Sequence, residues 1–385
     1  VNPIGQLLPA DEGFCHQIAD TFAITSSSDL SWTEKVCAMA MARDGSLQVG
    51  FGLGKYTNRN VMDAYAGVSR GVEQITVRSS RRLSPTPETT VVGPVRYEVI
   101  EPLERVRFVL EPNDEQPIAY DVTFTAVVPP LLEDRTHLRT VYRVAGDLVR
   151  YHQIGVAEGW IDVDGVRTTV DPDSWVCTRD HSWGVRTPIV GQPLTDLEPS
   201  DPLAGITFEM IWSPVLMERP DRTRYGLMMH YQTFSATGLL HKRVMGGIEH
   251  PDGRVDLWTD LVPELDFDPG NRRLLGGRIH ATTADGTTRT LQVDVLSPTG
   301  FHLGTGLYFG FDDHYHGEWR GAEHVDGERI ADCSDPVEAR RLHQIRDTCI
   351  RITDPIDGSV GWGNCQPMIV GASQRHGLGT DDSFW

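Results

Sequence analysis

The run Arg179-Asp180-His181-Ser182-Trp183-Gly184-Val185-Arg186 places two guanidiniums, a carboxylate, an imidazole and an indole within eight residues. A carboxylic acid held away from water, or an imidazolium, can give a proton to a substrate, and an indole face can stabilise a developing cation. Written as a strand, the run turns His181 and Trp183 to one face and Asp180 and Ser182 to the other. Asp180 and His181 are the acid–base candidates. Asp180, His181 and Trp183 are expected to border one apolar cavity, although a regular strand presents only one of the two acid–base candidates to a given pocket unless a bulge re-aims the other. The competing readings are plain: Asp180 paired with Arg179 or Arg186, and Trp183 plugging a core.

Other patterns carry weaker chemistry. Gly67-Val68-Ser69-Arg70-Gly71 fits the G-x-S-x-G of serine hydrolases, but that elbow must open a helix, and Glu73–Arg78 reads as a strand. Gly50-Phe51-Gly52-Leu53-Gly54-Lys55 lacks phosphate-loop spacing. Asp162-Val163-Asp164-Gly165 lacks the later acids of a calcium loop and reads as a hairpin turn. His314, His316 and Glu318, followed by Glu323 and His324, form the densest set of ligand-type residues, and a strand would align the first three. Their spacing matches no metal template, so polar strand ends or a hydrogen-bond network are expected there, and no metal is required.

The elements that must position these residues are strands. Six Asp-Gly pairs (at 44, 164, 252, 285, 326 and 357) punctuate the chain, most of them between strand-like runs. Arg278–Thr282 and Leu291–Val295 flank one pair, and similar runs occur at Arg96–Ile100, Val106–Leu110, Asp121–Val128, Val166–Val170 and Tyr225–Phe234. Helical signal is confined to Asp335–Leu342, with Ser334 as the expected cap. The expected fold is all-β, with few short helices. A break rich in proline (188, 193, 199, 202) divides it into domains 1–190 and 191–385, with the boundary inside 187–204.

Composition excludes several functions. The 385 residues carry net charge −19, with 35 basic residues of which three are lysines and no basic run, so neither nucleic acid nor an anionic membrane is an expected partner. No apolar stretch reaches the ~20 residues of a membrane span. The six cysteines form no Cys-x-x-Cys pair. With no export signal at Val1–Gly5, free and mostly buried thiols in the cytoplasm are expected.

The Arg179–Arg186 run resembles the signature of the AttH-like and carotenoid 1,2-hydratase-like (hydroxyneurosporene synthase) superfamily. Trp32-Thr33-Glu34, Arg70-Gly71 with Arg78 and Ser80-Arg81, and Gly361-Trp362-Gly363 extend the resemblance over nearly the whole chain. It implies two lipocalin-like antiparallel β-barrel or sandwich domains, an apolar pocket and no organic cofactor. Members include hydratases of isoprenoid double bonds and lipocalin-like Diels–Alder cyclases. In the carotenoid hydratases a histidine and a tryptophan of this run are implicated, matched by His181 and Trp183, with a Tyr-x-Asp pair one strand downstream. Here that stretch reads Ile206-Thr207-Phe208-Glu209-Met210. Phe208 replaces the tyrosine, and Glu209 is one residue out of register, which turns it to the opposite face.

The expected function is a cofactor-independent hydratase or dehydratase of an isoprenoid (terpene) alkene or a tertiary or allylic alcohol. Asp180 and His181 would carry acid–base catalysis with Glu209 in reserve. Trp183, Phe208, Trp212 and Trp175 would wall an apolar small-molecule substrate, with Trp160 and Trp319 as further candidate walls. The alternatives are a non-catalytic carrier of apolar molecules and a pericyclase. An ionisable pair in the same cavity as the aromatic rings separates these readings: a carrier needs none, a pericyclase needs donors, and a hydratase needs an acid.

Overall fold

The structure is a computed structural model that describes residues 9–14, 16, 25–140, 142–196, 206–236 and 238–379. It is nearly all-β, in two antiparallel sheets. The first is a curled half-barrel whose central order runs Glu73–Arg82, Val61–Arg70, Gln48–Tyr56, Trp32–Ala42, Trp175–Arg186, Arg143–Val163. The second closes on itself: Thr207–Glu218 pairs on one side with Ser359–Val370 and on the other with Arg224–Ala236, completing an eight-strand barrel. Closure removes the unpaired edges of a sheet. Strands before residue 190 all belong to the half-barrel. Later ones belong to the barrel side, except Glu323–Ile330, which returns to pair with Glu73–Arg82.

Local chemistry explains the elements. At five of the six Asp-Gly pairs the glycine has a positive φ, between 72° and 85°. Asp164 and Gly165 both do, which lets the two-residue turn join Val163 to Val166. The sixth pair, Asp326-Gly327, is not a turn but lies within Glu323–Ile330. There the Asp326 carboxylate accepts from Arg78 Nε (2.6 Å) and Arg320 Nη1 (2.7 Å), a use that the dipeptide does not announce. The helix spans Pro336–Arg341, and its cap is Asp335 rather than Ser334: Asp335 Oδ1 accepts from the backbone N–H groups of Val337 and Glu338. Ser334 is instead turned back onto Asp332. Gly67–Gly71 is the end of a strand and a turn, with Ser69 Oγ donating to the Gly300 carbonyl. Of the boundary segment 187–204, residues 197–204 lie outside the described residues.

Alternation along the strands creates the three largest apolar clusters among the described residues. Odd-numbered Trp175 and Cys177 face the concave side of the half-barrel among Phe51, Phe108 and Tyr120. Ile211 and Val215 face the barrel interior with Trp258 and Leu261. Between the sheets, Met39, Met41, Val176, Leu216 and Cys349 form an apolar seam. The five cysteines among the described residues (37, 177, 333, 349, 365) are unpaired thiols, and Cys15 lies outside them.

Candidate active site

Along the same seam, where the half-barrel meets the outside of the barrel, lies a cavity of about 170 Å³. Asp180, Thr178, Arg150 and Arg186 line it from one side, and Asp347, Asn364, Gln366, Met210 and Trp212 from the other. Tyr308, Phe309 and Leu303 complete the wall.

The two carboxyls are set differently. Burial pushes the Asp347 carboxyl up to about 7, against the hydrogen bonds that its Oδ1 accepts from Asn364 Nδ2 (2.8 Å) and Gln366 Nε2 (3.2 Å); the nearby charge of Asp180 adds to the rise. Asp180 is also raised by burial, while Arg150 and Arg186 pull it back. Arg150 is held in turn by Glu133, through Nη2 at 2.6 Å and Nε at 3.0 Å. Two carboxyls with different settings in one apolar cavity can act as an acid and a base.

The strand Trp175–Arg186 is regular, so its two faces serve separate sites. Asp180 faces the cavity. His181 and Trp183 face the concave side of the half-barrel, which corrects the expectation that all three border one cavity. There His181 Nε2 lies 3.1 Å from Glu34 Oε1, and Tyr151 Oη lies 3.2 Å from its Nδ1. Trp183 stacks on His16 with ring centroids 3.4 Å apart. Arg179, on the same face, is buried in an ion pair with Glu12 (2.5 Å).

The remaining candidates divide likewise. Trp212 lines the cavity and donates its Nε1–H to Glu133 (3.0 Å). Phe208 packs just beside it, against Met368, Met210 and Phe309. Glu209 turns to the other face, as its register requires, and accepts from His376 Nε2 at 3.1 Å. Trp175 belongs to the half-barrel core, away from this cavity. The His314–Glu318 segment is not a strand, and its members separate. His314 Nδ1 bonds Glu318 (2.9 Å), whereas His316 is buried between Lys35 Nζ (2.6 Å) and Asp63 (3.1 Å). Burial and the Lys35 charge hold His316 down at about 4, and burial brings Lys35 down to about 8.

Sequence reasoning missed Asp347, Arg150 and Tyr308. For Asp347 the only local signal is an acid opening an apolar strand, Asp347-Thr348-Cys349-Ile350. The amides that hold it lie 17 and 19 residues away, on the neighbouring strand.

The sequence matches a family of unknown function (DUF8625) over residues 7–379. The chain belongs to this family. No curated protein matches it. Among solved structures it is similar to CghA, crystallised with Sch210972, at 11% identity and TM-score 0.50, covering 95% of this chain and 94% of that one. Kievitone hydratase from Nectria haematococca aligns at 11% identity and TM-score 0.44, covering 95% and 94%. An AttH candidate from Nitrosomonas europaea aligns at 13% and 0.44, covering 87% and 91%. At these identities the similarity is one of fold alone.

Proposed function

We propose that the protein is a cofactor-independent hydro-lyase, adding water to, or removing it from, an alkene or a tertiary or allylic alcohol of isoprenoid type. The observation that carries this reading is the sharing of one apolar cavity by Asp180, Asp347 and the rings of Trp212, Tyr308 and Phe309. A carrier has no use for two such acids.

In the hydration direction, Asp347 gives its carboxyl proton to the alkene carbon, and the C=C π pair forms the new C–H bond. The cation left on the adjacent carbon is faced by the Trp212 indole and the Tyr308 ring. Water attacks that carbon and yields its surplus proton to the Asp180 carboxylate, which Arg150 and Arg186 keep available. Dehydration is the reverse: Asp180 protonates the leaving hydroxyl and Asp347 removes the C–H proton. A cavity of about 170 Å³ is close to one that admits a benzene-sized ring, about 150 Å³. The reacting part of the substrate is therefore small, about one isoprene unit. His181 and Trp183 touch neither carboxyl and act as positioning residues for the strand.

Incubation with linalool, myrcene and geraniol in ¹⁸O-labelled water, followed by product analysis, tests the reading. Label in the product alcohol, or exchange of label into a recovered alcohol, is the expected result. D347N and D180N each lose about 10²–10⁴ in rate, and H181Q loses far less. Asp347 must be protonated to act as the acid, so the hydration rate falls as pH rises through about 7. A folded D180N and D347N pair with undiminished turnover would remove the cavity from the mechanism.

A further inference from the structure

On the concave face of the half-barrel, well apart in role from the two-acid cavity, three side chains converge from distant parts of the chain. Glu34 lies on Trp32–Ala42 and His181 on the adjacent Trp175–Arg186, where Glu34 pairs with Trp183 and Val36 with His181. His16 reaches in from the N-terminal segment. Donor atoms of the three lie within 4.8 Å of one another. His16 Nδ1 is 2.7 Å and His181 Nε2 3.1 Å from the same oxygen, Glu34 Oε1.

We propose that His16, Glu34 and His181 form a binding site for a divalent transition-metal ion of the zinc type, which pins the N-terminal segment to the sheet. Two features of the site argue for a ligand. Glu34 is fully buried, yet its second oxygen, Oε2, has no hydrogen-bond partner, an uncommon expense for a carboxylate. Each imidazole has its far nitrogen already held, as metal-bound histidines do. His16 Nε2 lies 3.1 Å from the Asp11 carboxylate, and His181 Nδ1 lies 3.2 Å from Tyr151 Oη. Tyr151 Oη can pass its own proton on to Glu12 Oε1 at 3.0 Å.

The spacing also fits. Metal–ligand bonds of about 2.0–2.2 Å set neighbouring ligand atoms of a tetrahedral site roughly 3.3–3.5 Å apart. From 3.1 Å the His181 edge must open by about 0.2–0.4 Å, and from 2.7 Å the His16 edge by about 0.6–0.8 Å, a shift that the partly exposed His16 ring can make. Two imidazoles and one carboxylate suit zinc or another first-row divalent ion, and not magnesium or calcium, which take oxygen ligands. Lys55, the register partner of Glu34, has its ammonium engaged with the Phe14 carbonyl at 3.0 Å. His16 is the accessible ligand, its side chain 12% exposed beneath the Trp183 indole, and it offers the way in.

The test uses the full chain, stripped with chelator and titrated with Zn²⁺ by calorimetry and with Co²⁺ by visible absorption. One equivalent of Zn²⁺ per chain is expected, with the d–d absorption of a four- or five-coordinate cobalt site and a rise in melting temperature. His16→Ala removes a partly exposed ligand and leaves the sheet intact; it weakens Zn²⁺ binding by at least about tenfold. His314→Ala, which alters a histidine–carboxylate pair elsewhere in the chain, leaves binding unchanged. Absence of stoichiometric uptake by the folded chain overturns the proposal, as does undiminished uptake in His16→Ala. The readouts do not depend on turnover, so they stand or fall independently of the hydro-lyase reading.

Discussion

Burial of Asp347 costs stability wherever its carboxyl would otherwise ionise. Its carboxyl sits near 7 in the folded chain against 3.8 when unhindered, because burial penalises the charged form. A carboxyl raised in this way binds its proton more tightly folded than unfolded. Its contribution to stability therefore declines as pH rises from about 4 to about 7 and stays low above that. At 1.36 kcal/mol per unit the loss is on the order of 4 kcal/mol. Asp347→Asn keeps a side-chain oxygen to accept from Asn364 and Gln366 and cannot ionise. Chemical denaturation at pH 8 should find this variant more stable than the wild type by a few kcal/mol, with the gap closing toward pH 4. Equal stability at both ends would mean that Asp347 is not held protonated. Of the two acids only Asp180 was legible in the sequence, through the density of the run around it. Asp347 was not, because burial and partners on another strand, not neighbours in sequence, set its behaviour.

At the scale of the element, the period-2 rule read the decisive strand correctly in kind: it separated Asp180 from His181, and it turned Glu209 away from Phe208 and Trp212. It could not say which face met the cavity, since that depends on the packing of a second sheet. The strand-like runs and turns were legible too, Val166–Val170 to the residue. The glycine-rich run was legible only as a puzzle. Gly50, Gly52 and Gly54 do not cradle phosphate; they leave room for aromatic rings. A Cβ on Gly50 would come within 2.5 Å of the Phe301 ring, one on Gly52 within 2.3 Å of Tyr65, and one on Gly54 within 2.5 Å of the Tyr56 hydroxyl. Gly67, paired with Gly50 across the ladder, makes room for the same Phe301 ring, which comes from beyond the half-barrel's own sequence. Gly50→Val must therefore lift Phe301 off the sheet. Denaturant titration is expected to register about 1–3 kcal/mol of destabilisation, the usual cost of overpacking. A neutral outcome would mean that Phe301 is free to move aside.

At the scale of the whole molecule, the half-barrel and the barrel are joined by charge as well as by the apolar seam. His152 of the half-barrel is fully buried and bonds two carboxylates, Glu133 Oε1 at 3.1 Å and, across the junction, Glu249 Oε1 at 2.7 Å. Both ring nitrogens face acceptors, an arrangement that only the imidazolium satisfies fully. Burial opposes the charge, but Glu249 and Glu133 outweigh it and lift His152 to about 9. Glu133 is in turn held below the usual carboxylate range: burial raises it, and Arg150, His152 and His230 more than compensate. Trp212 donates to the same Glu133, and the cavity residue Arg150 bonds it as well, so the junction and the two-acid cavity share a support. A histidine raised from 6.5 to about 9 gives stability that is fully present below about 6.5 and is lost as pH rises through about 9. Glu133, being depressed, gives stability above about 4.5 that is lost in acid. Thermal unfolding followed against pH should therefore show the junction strongest near pH 5–6 and weakening between about pH 7 and 9. Glu249→Gln removes one of the two charges that raise the ring, so its alkaline decline should begin at lower pH. If the wild type and Glu249→Gln decline in parallel above pH 7, His152 is not the group that couples the barrel to the half-barrel, and the other contacts across the junction, the Trp212–Glu133 bond and the seam of Met39, Met41 and Leu216 among them, hold the two together.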